Sequence, residues 1–154
     1  MTPATVALTR ANVPFDLHPY PHEPGAPSYG LEEAKALGLD PRRVAKTLVA
    51  RVDGRLTVAV VPVSGSLDLK ALAAAVGAKK AVMAEPAEAE RATGYVLGGI
   101  SPLGARSRLP VVVDEDVLGL DRVWVSAGRR GLQVSLAPAD LVAVTGARTA
   151  AIGR

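Results

Sequence analysis

The chain has 154 residues, no cysteine, a formal net charge of +3 and a sequence pI of about 9.5. Lacking cysteine, it has no disulfide scaffold, thiolate zinc site, iron–sulfur cluster or cysteine nucleophile. It is long enough to bury roughly two-thirds of its unfolded surface as one domain over residues 1–154, and no apolar run approaches the roughly 18 residues of a membrane span.

Thr2-Pro3 opens a helix, with a hydroxyl cap followed by proline at the first helical position. Phe15 and Leu17 then alternate with Asp16 and His18 as a short strand. Five prolines between Pro14 and Pro27 make residues 19–27 an extended loop that carries Tyr20 and His22. Leu31 to Leu37 reads as a helix, and Asp40-Pro41 as the start of a second short one reaching Val44. Residues 47–52 and 56–63 are β-rich runs joined by Asp53-Gly54, a hairpin signal.

Asp68 caps a helix that ends at Gly77. Residues 79–84 are a candidate strand, and Pro86 opens an alanine- and glutamate-rich helix to Ala92. A glycine-punctuated loop follows, from Gly94 to Gly104. Leu109 to Val113 reads as a buried strand, and Asp114-Glu115-Asp116 as a solvated turn. Residues 122–126 and 132–136 are two more strands, and Pro138 opens the last helix. The tail from Arg148 is small and polar and is expected to fray. Helices and strands mix irregularly around two hairpins, which favours an α+β domain on a largely antiparallel or mixed sheet. The N-terminus has no basic stretch followed by an apolar one, so no signal peptide and a cytoplasmic location are expected.

Few residues suggest chemistry. His18 and His22 have helical i,i+4 spacing, but Pro19 and Pro21 forbid that helix and no ligand set is completed, so no metal is expected. No P-loop, nucleophile elbow or dinucleotide fingerprint occurs, so no cofactor is expected either. Lys46 sits where a helix meets a β-rich strand. There it is either a solvated base or an ammonium aimed into a cleft. Gly98-Gly99 is either a tight turn or a backbone surface that approaches a ligand closely. Residues 126–131 form a hairpin tip in which Arg129 and Arg130 either meet RNA phosphates or are simply exposed.

Taken together, several segments resemble the YbaK/EbsC family of aminoacyl-tRNA deacylases. They include Val44-Ala45-Lys46-Thr47-Leu48, the string Gly98-Gly99-Ile100-Ser101-Pro102-Leu103-Gly104, His18-Pro19-Tyr20-Pro21-His22, Thr93-Gly94-Tyr95 and Val125-Ser126 with Gly128, Arg130, Gly131 and Leu132. These proteins are relatives of the editing domain in bacterial prolyl-tRNA synthetases. The resemblance implies a curved, barrel-like sheet flanked by helices and hydrolysis of the ester between a wrong amino acid and tRNA. Cys on tRNA(Pro) is the first expectation, with the substrate's own thiol as nucleophile. The family's pocket lysine falls on Lys46, its hydroxyl neighbour on Thr47 and a lining aromatic on Tyr20. Its backbone clamp falls on Gly98, Gly99 and Ile100, with Tyr29, Tyr95 and Ser126 as further wall positions.

Cys-type members resemble this chain less at position 133, where they carry an acid and this chain has Gln133. That substitution motivates an alternative, a deacylase for Ala-tRNA(Pro) or another small acyl group. A non-catalytic module that binds tRNA or a synthetase is the third reading. Mischarged tRNA is the expected partner, prolyl-tRNA synthetase a candidate one, and no membrane association is expected.

Overall fold

A computed structural model describes residues 1–21 and 29–154, the side chains of Tyr29 and Gly30 excepted. The first helix, α1 (Pro3–Arg10), is capped by Thr2 and leads through Asn12 to β1 (Asp16–Pro19). Next come α2 (Tyr29–Ala36), β2 (Ala45–Val52), β3 (Arg55–Pro62), α3 (Leu69–Ala75), β4 (Ala81–Met83) and α4 (Pro86–Thr93). After the glycine loop follow β5 (Val111–Asp114), a short 3-10 turn (Glu115–Gly119), β6 (Val123–Arg129), β7 (Leu132–Leu136), α5 (Pro138–Thr145) and β8 (Arg148–Ala150).

The α+β mixture stands as expected, but the sheet is not barrel-like. The strands form two separate open sheets, ordered β1-β7-β6 and β4-β2-β3-β5-β8. The larger one is mixed, because β3, β5 and β8 run parallel while β4, β2 and β3 are antiparallel. Apolar side chains from both sheets, including Val58, Val60, Val113, Val125, Val134 and Leu136, pack with Leu8 of α1 and Leu141 of α5 into the largest core cluster. What would have closed the barrel is a ladder between β2 and β6. It amounts to one parallel bridge, Val44 to Trp124, supported by the Trp124 N–H donating to the Arg43 carbonyl at 3.0 Å. Past the bridge no further pairing joins the two strands, and β6 carries a bulge between Ser126 and Arg129.

Three local expectations are corrected. Residues 41–43 form a turn rather than a helix, because the Asp40 carboxylate accepts the Arg42 N–H at 2.9 Å and Val44 is drawn at once into the bridge. The tail does not fray. Its β8 pairs with β5, Ile152 is fully buried, and Ser66 and Arg154 exchange two backbone hydrogen bonds at 2.8 Å. Asp114 is not solvated: it is buried, and its Oδ1 accepts the N–H groups of Ile152 at 3.0 Å and Gly153 at 3.1 Å. A buried carboxylate needs donors, and the tail supplies them.

Candidate active site

Beyond the Val44–Trp124 bridge no further pairing joins β2 and β6, and this unpaired seam is the wedge between the two sheets. β4 joins the outer edge of β2 only at Ala50–Val52, so among the described residues the edge at residues 46–48 has no ladder partner. Across the wedge, β6 is likewise the edge of its sheet. Lys46 and Ser126 each lie two residues beyond the Val44–Trp124 bridge, on opposite walls.

The glycine loop touches elements of both sheets. Ile100 packs with Val49 of β2 on one side. On the other, Gly99 lies so close to the hairpin tip that a Cβ there would come within 2.8 Å of Arg129 Cα and 2.9 Å of Arg130 N. Only glycine permits that approach. Val96 to Gly99 is a β-turn closed by the Gly99 N–H donating to the Val96 carbonyl at 2.9 Å, with Gly98 at φ +83 in the position that requires a left-handed residue. The Gly99 N–H is therefore committed, whereas those of Gly98 and Ile100 have no partner among the described residues.

The floor is the polar face of the small sheet. His18, Gln133 and Ser126 lie side by side across β1, β7 and β6, so they share one face, while Leu17, Val134 and Val125 take the other. His18 Nε2 lies 2.7 Å from Ser135 Oγ, and its ring tilts against Trp124 at 5.9 Å. Trp124 is only half-buried and belongs to this face as well as to the packing around Val44 and Ala34. Ser126 is buried, and its Oγ accepts the Gly128 N–H at 3.2 Å.

Gln133 is fully buried, yet neither its Oε1 nor its Nε2 has a hydrogen-bond partner; Thr47 Oγ1 is also buried and unpartnered. Such groups are rare in folded proteins, because each costs roughly 1–3 kcal/mol of desolvation. Thr47 shares a strand face with Ala45 and Val49, and Lys46 the alternate face with Leu48, so the open edge of β2 is what the two have in common. Lys46 is half-buried and makes no ion pair among the described residues.

Tyr20 extends β1 by donating its N–H to the Gly131 carbonyl at 2.9 Å, and its hydroxyl donates to Glu33 Oε1 of α2 at 2.8 Å. Burial and the neighbouring Glu33 carboxylate push the tyrosine well above the usual phenol range. Burial pushes Glu33 up to about 7, with Glu32 adding to the rise, although the bond from Tyr20 pulls the other way. Sequence reasoning did not single out Glu33. An acidic pair on a short helix looks like a solvated face, and only tertiary burial distinguishes it.

Tyr95, expected as a wall position, is turned inward. It is buried, its hydroxyl donates to the Leu103 carbonyl at 2.7 Å, its ring lies against Gly128, and burial pushes it up to about 12. It is a strut that ties the two ends of the glycine loop to the hairpin. His22 and the Tyr29 side chain lie outside the described residues. Arg129 and Arg130 are exposed at the hairpin tip, where Arg130 Nε donates to the Leu97 carbonyl at 2.7 Å. Among the described residues, no three His, Asp or Glu side chains are grouped as metal ligands.

A glycine turn packed on a hairpin tip, a lysine–threonine strand edge and two side chains with orphaned polar atoms are thus the site's parts. The family model for the aminoacyl-tRNA editing domain matches residues 23–144. The chain belongs to this family. It is 40% identical over 122 residues to EbsC of Enterococcus faecalis, a candidate Cys-tRNA(Pro)/Cys-tRNA(Cys) deacylase, covering 77% of this chain and 73% of that one. It is 31% identical over 105 residues to the multifunctional Ser/Thr-tRNA deacylase ProXp-y of Escherichia coli, covering 65% of this chain and 63% of the relative. A crystal structure described as a candidate trans-editing enzyme for prolyl tRNA synthetase superposes with a TM-score of 0.86 at 29% identity, covering 99% of this chain and 95% of that one. Among the described residues no helix of this editing-domain protein is long and apolar enough to cross a membrane.

Proposed function

We propose that residues 1–154 act as one trans-editing domain that removes a mischarged amino acid, Cys in the first place, from tRNA(Pro). The observation that carries this reading is the wedge itself. It offers backbone donors, a lysine and buried unpartnered polar atoms, but no cysteine, and the serine that His18 engages, Ser135, is also bound by Arg122 Nε at 2.9 Å. The 40% identity to EbsC supports Cys as the acyl group.

In this mechanism the nucleophile is the thiol of the substrate. Its sulfur forms a bond to the acyl carbon, the ester C–O bond breaks, and the thiol proton ends on the ribose oxygen of the departing tRNA. The N–H groups of Gly98 and Ile100 donate to the oxyanion, while Gly99 contributes closeness rather than a hydrogen bond. Losing one such donor costs roughly 100- to 1000-fold in rate. Lys46 holds the substrate near its ester, Thr47 and Gln133 meet polar groups of the acyl end, and Tyr20 closes the wall. Holding thiol and carbonyl together supplies the proximity advantage of an intramolecular attack.

The test is release of labelled Cys from Cys-tRNA(Pro), with Lys46→Ala as the control. A rate equal to the uncatalysed one, or a fully active Lys46→Ala, overturns the reading. A second reading, a small acyl group without a thiol, is favoured by the neutral Gln133 and by similarity to the Ser/Thr-tRNA deacylase. It requires water as nucleophile. Parallel assays on Cys-, Ala-, Ser- and Thr-tRNA separate the two. Binding of tRNA or of prolyl-tRNA synthetase without turnover of any of them would favour the non-catalytic module.

A further inference from the structure

One face of the larger sheet packs against α3, where Ala59, Val61 and Val112 meet Leu72 and Ala73. Alternation along β3 puts Arg55 and Thr57 on the same face as Ala59. Val112 pairs with Ala59 and with Arg148, so Arg148 lies on that face too. The helix α3 ends at Ala75. Beyond its end lies a cavity of about 350 Å³ lined by Arg55, Thr57 and Arg148, with Val52, Val76 and Ala78 among its apolar residues. Val52 stands at the far end of β2 from Lys46, roughly 20 Å along the strand, so this cavity is separate from the wedge.

The acceptors around the cavity are already engaged. At the end of α3, the Ala73 carbonyl accepts the N–H groups of Val76 at 3.2 Å and Ala78 at 2.8 Å, Ala74 accepts that of Gly77 at 3.1 Å, and Ala75 accepts from Arg148 at 2.8 Å. At the end of α5, Val142 accepts the Ala147 N–H at 3.1 Å and Leu141 the Thr145 hydroxyl at 2.7 Å. No Asp or Glu lines the cavity among the described residues. The acid beside it in sequence, Asp53, takes the N–H groups of Lys79 at 3.0 Å and Lys80 at 2.9 Å. What remains is donors. Arg55 is exposed, and its side chain makes no ion pair and no hydrogen bond among the described residues. Arg148 keeps the N–H groups that Ala75 does not use. Thr57 is 2% exposed, and its hydroxyl reaches the Arg55 carbonyl only at 3.4 Å, the long limit of a hydrogen bond.

Cationic donors over an apolar lining, with the nearby acceptors consumed, are the complement of an anion on an apolar body. We infer that this cavity is a binding site for a small aliphatic carboxylate. The carboxylate meets the guanidinium groups of Arg55 and Arg148, with the Thr57 hydroxyl as a further donor, and the alkyl part lies on Val52, Val76 and Ala78. The same argument excludes a free amino acid, including the one that an editing reaction releases. Its ammonium would find neither an acid nor a vacant helix-end carbonyl, and would stand beside two guanidinium groups. A bare phosphate ranks below the carboxylate, because it leaves the apolar lining unfilled. This site does not depend on the editing reading of the wedge.

Arg148 also has a structural part, since its bond to Ala75 ties β8 to the end of α3. The test therefore turns on Arg55, whose side chain fastens nothing. The probe is 4-methylpentanoate, titrated into the full chain and followed by backbone amide NMR shifts. Saturable shifts are expected at Thr57, Ala78, Gly146 and Arg148. Leucine has the same body with an added ammonium, 4-methylpentan-1-ol has it without the charge, and inorganic phosphate has charge without the body. Each should bind at least about tenfold more weakly. Arg55→Gln should weaken 4-methylpentanoate by about tenfold, the loss of one charge-assisted hydrogen bond, and leave the urea midpoint unchanged. Thr57→Val should give a smaller loss of affinity.

Lys79→Ala/Lys80→Ala is the control, because it removes two positive charges next to the cavity without touching its lining, and it should bind the probe as wild type does. Shifts that grow without saturating, or that scatter over exposed Arg and Lys residues, reduce to a basic protein attracting anions and overturn the inference. So does an Arg55→Gln protein that binds as tightly as wild type, or a lysine variant that loses as much as Arg55→Gln. Leucine binding as well as 4-methylpentanoate, or phosphate binding more tightly than it, overturns the ligand class.

Discussion

Two places in this molecule bury polar side chains against sheets, and they are treated in opposite ways. Under the larger sheet, Asp114 is buried and one of its oxygens takes two backbone N–H groups from the C-terminal tail. On the smaller sheet, Gln133 is more completely buried and its amide takes and gives nothing, with Thr47 Oγ1 in the same condition. Burial alone therefore does not tell structure from function here. Partnership does. A satisfied buried carboxylate is a fastening, whereas a buried amide that no protein group satisfies is a cost that a ligand or a bound water relieves.

The contrast can be broken at its structural end first. Asp114→Ala leaves two tail N–H groups without an acceptor and is expected to cost about 3 kcal/mol or more, read as a lowered urea midpoint. Asp114→Asn keeps an acceptor oxygen and should lose about half as much. An Asp114→Ala protein as stable as wild type would mean that the tail is not fastened there.

Glu33 gives the next largest effect. Its folded value of about 7 lies above the ordinary 4.5, so the folded state holds the proton more tightly than the unfolded chain. The stability this gives is fully present below about pH 4.5 and is lost as pH rises through about 7. The loss amounts to about 3 kcal/mol, because each pH unit between the two values is worth about 1.4 kcal/mol. Urea titrations at pH 5 and pH 8 should show it, and Glu33→Gln, which still accepts from Tyr20, should flatten the difference. An unchanged pH dependence in that variant would assign it to another group.

The elements were legible where local chemistry and tertiary need agree. The Asp53-Gly54 hairpin formed at its expected place, with φ +45 and +83 at its two central residues, and Thr2-Pro3 and Pro86 opened their helices. What could not be read is where distant segments meet. Nothing local in Arg148-Thr149-Ala150 marks a strand; it becomes one because β5 presents an open edge and Asp114 holds the residues that follow. The absence of a barrel is equally non-local, since one bridge at Val44–Trp124 replaces a ladder. For the site, resemblance pointed to Lys46, Thr47 and the glycine loop, whereas Tyr95, equally near the motif, is turned inward to Leu103. Glu33 carries no sequence signal apart from charge.

The smallest effects probe the functional end and reverse the usual sign. Gln133→Leu replaces an unpartnered amide by an apolar group of similar size and is expected to stabilise the free protein by roughly 1–2 kcal/mol while lowering deacylation. Thr47→Val is the milder case: it removes one unpartnered hydroxyl and keeps the branched shape that suits β2, so a gain of about 1 kcal/mol or less is expected. Thermal or urea unfolding of both variants, alongside deacylation of the same preparations, is the measurement. Ligand binding gives the prediction its edge, because the wild type should recover the difference when a non-hydrolysable aminoacyl-adenosine analogue is bound, whereas the variants should recover less. A Thr47→Val protein that is less stable than wild type, and no less responsive to the analogue, would place that hydroxyl among the fastenings with Asp114 and leave Gln133 alone as the mark of the site.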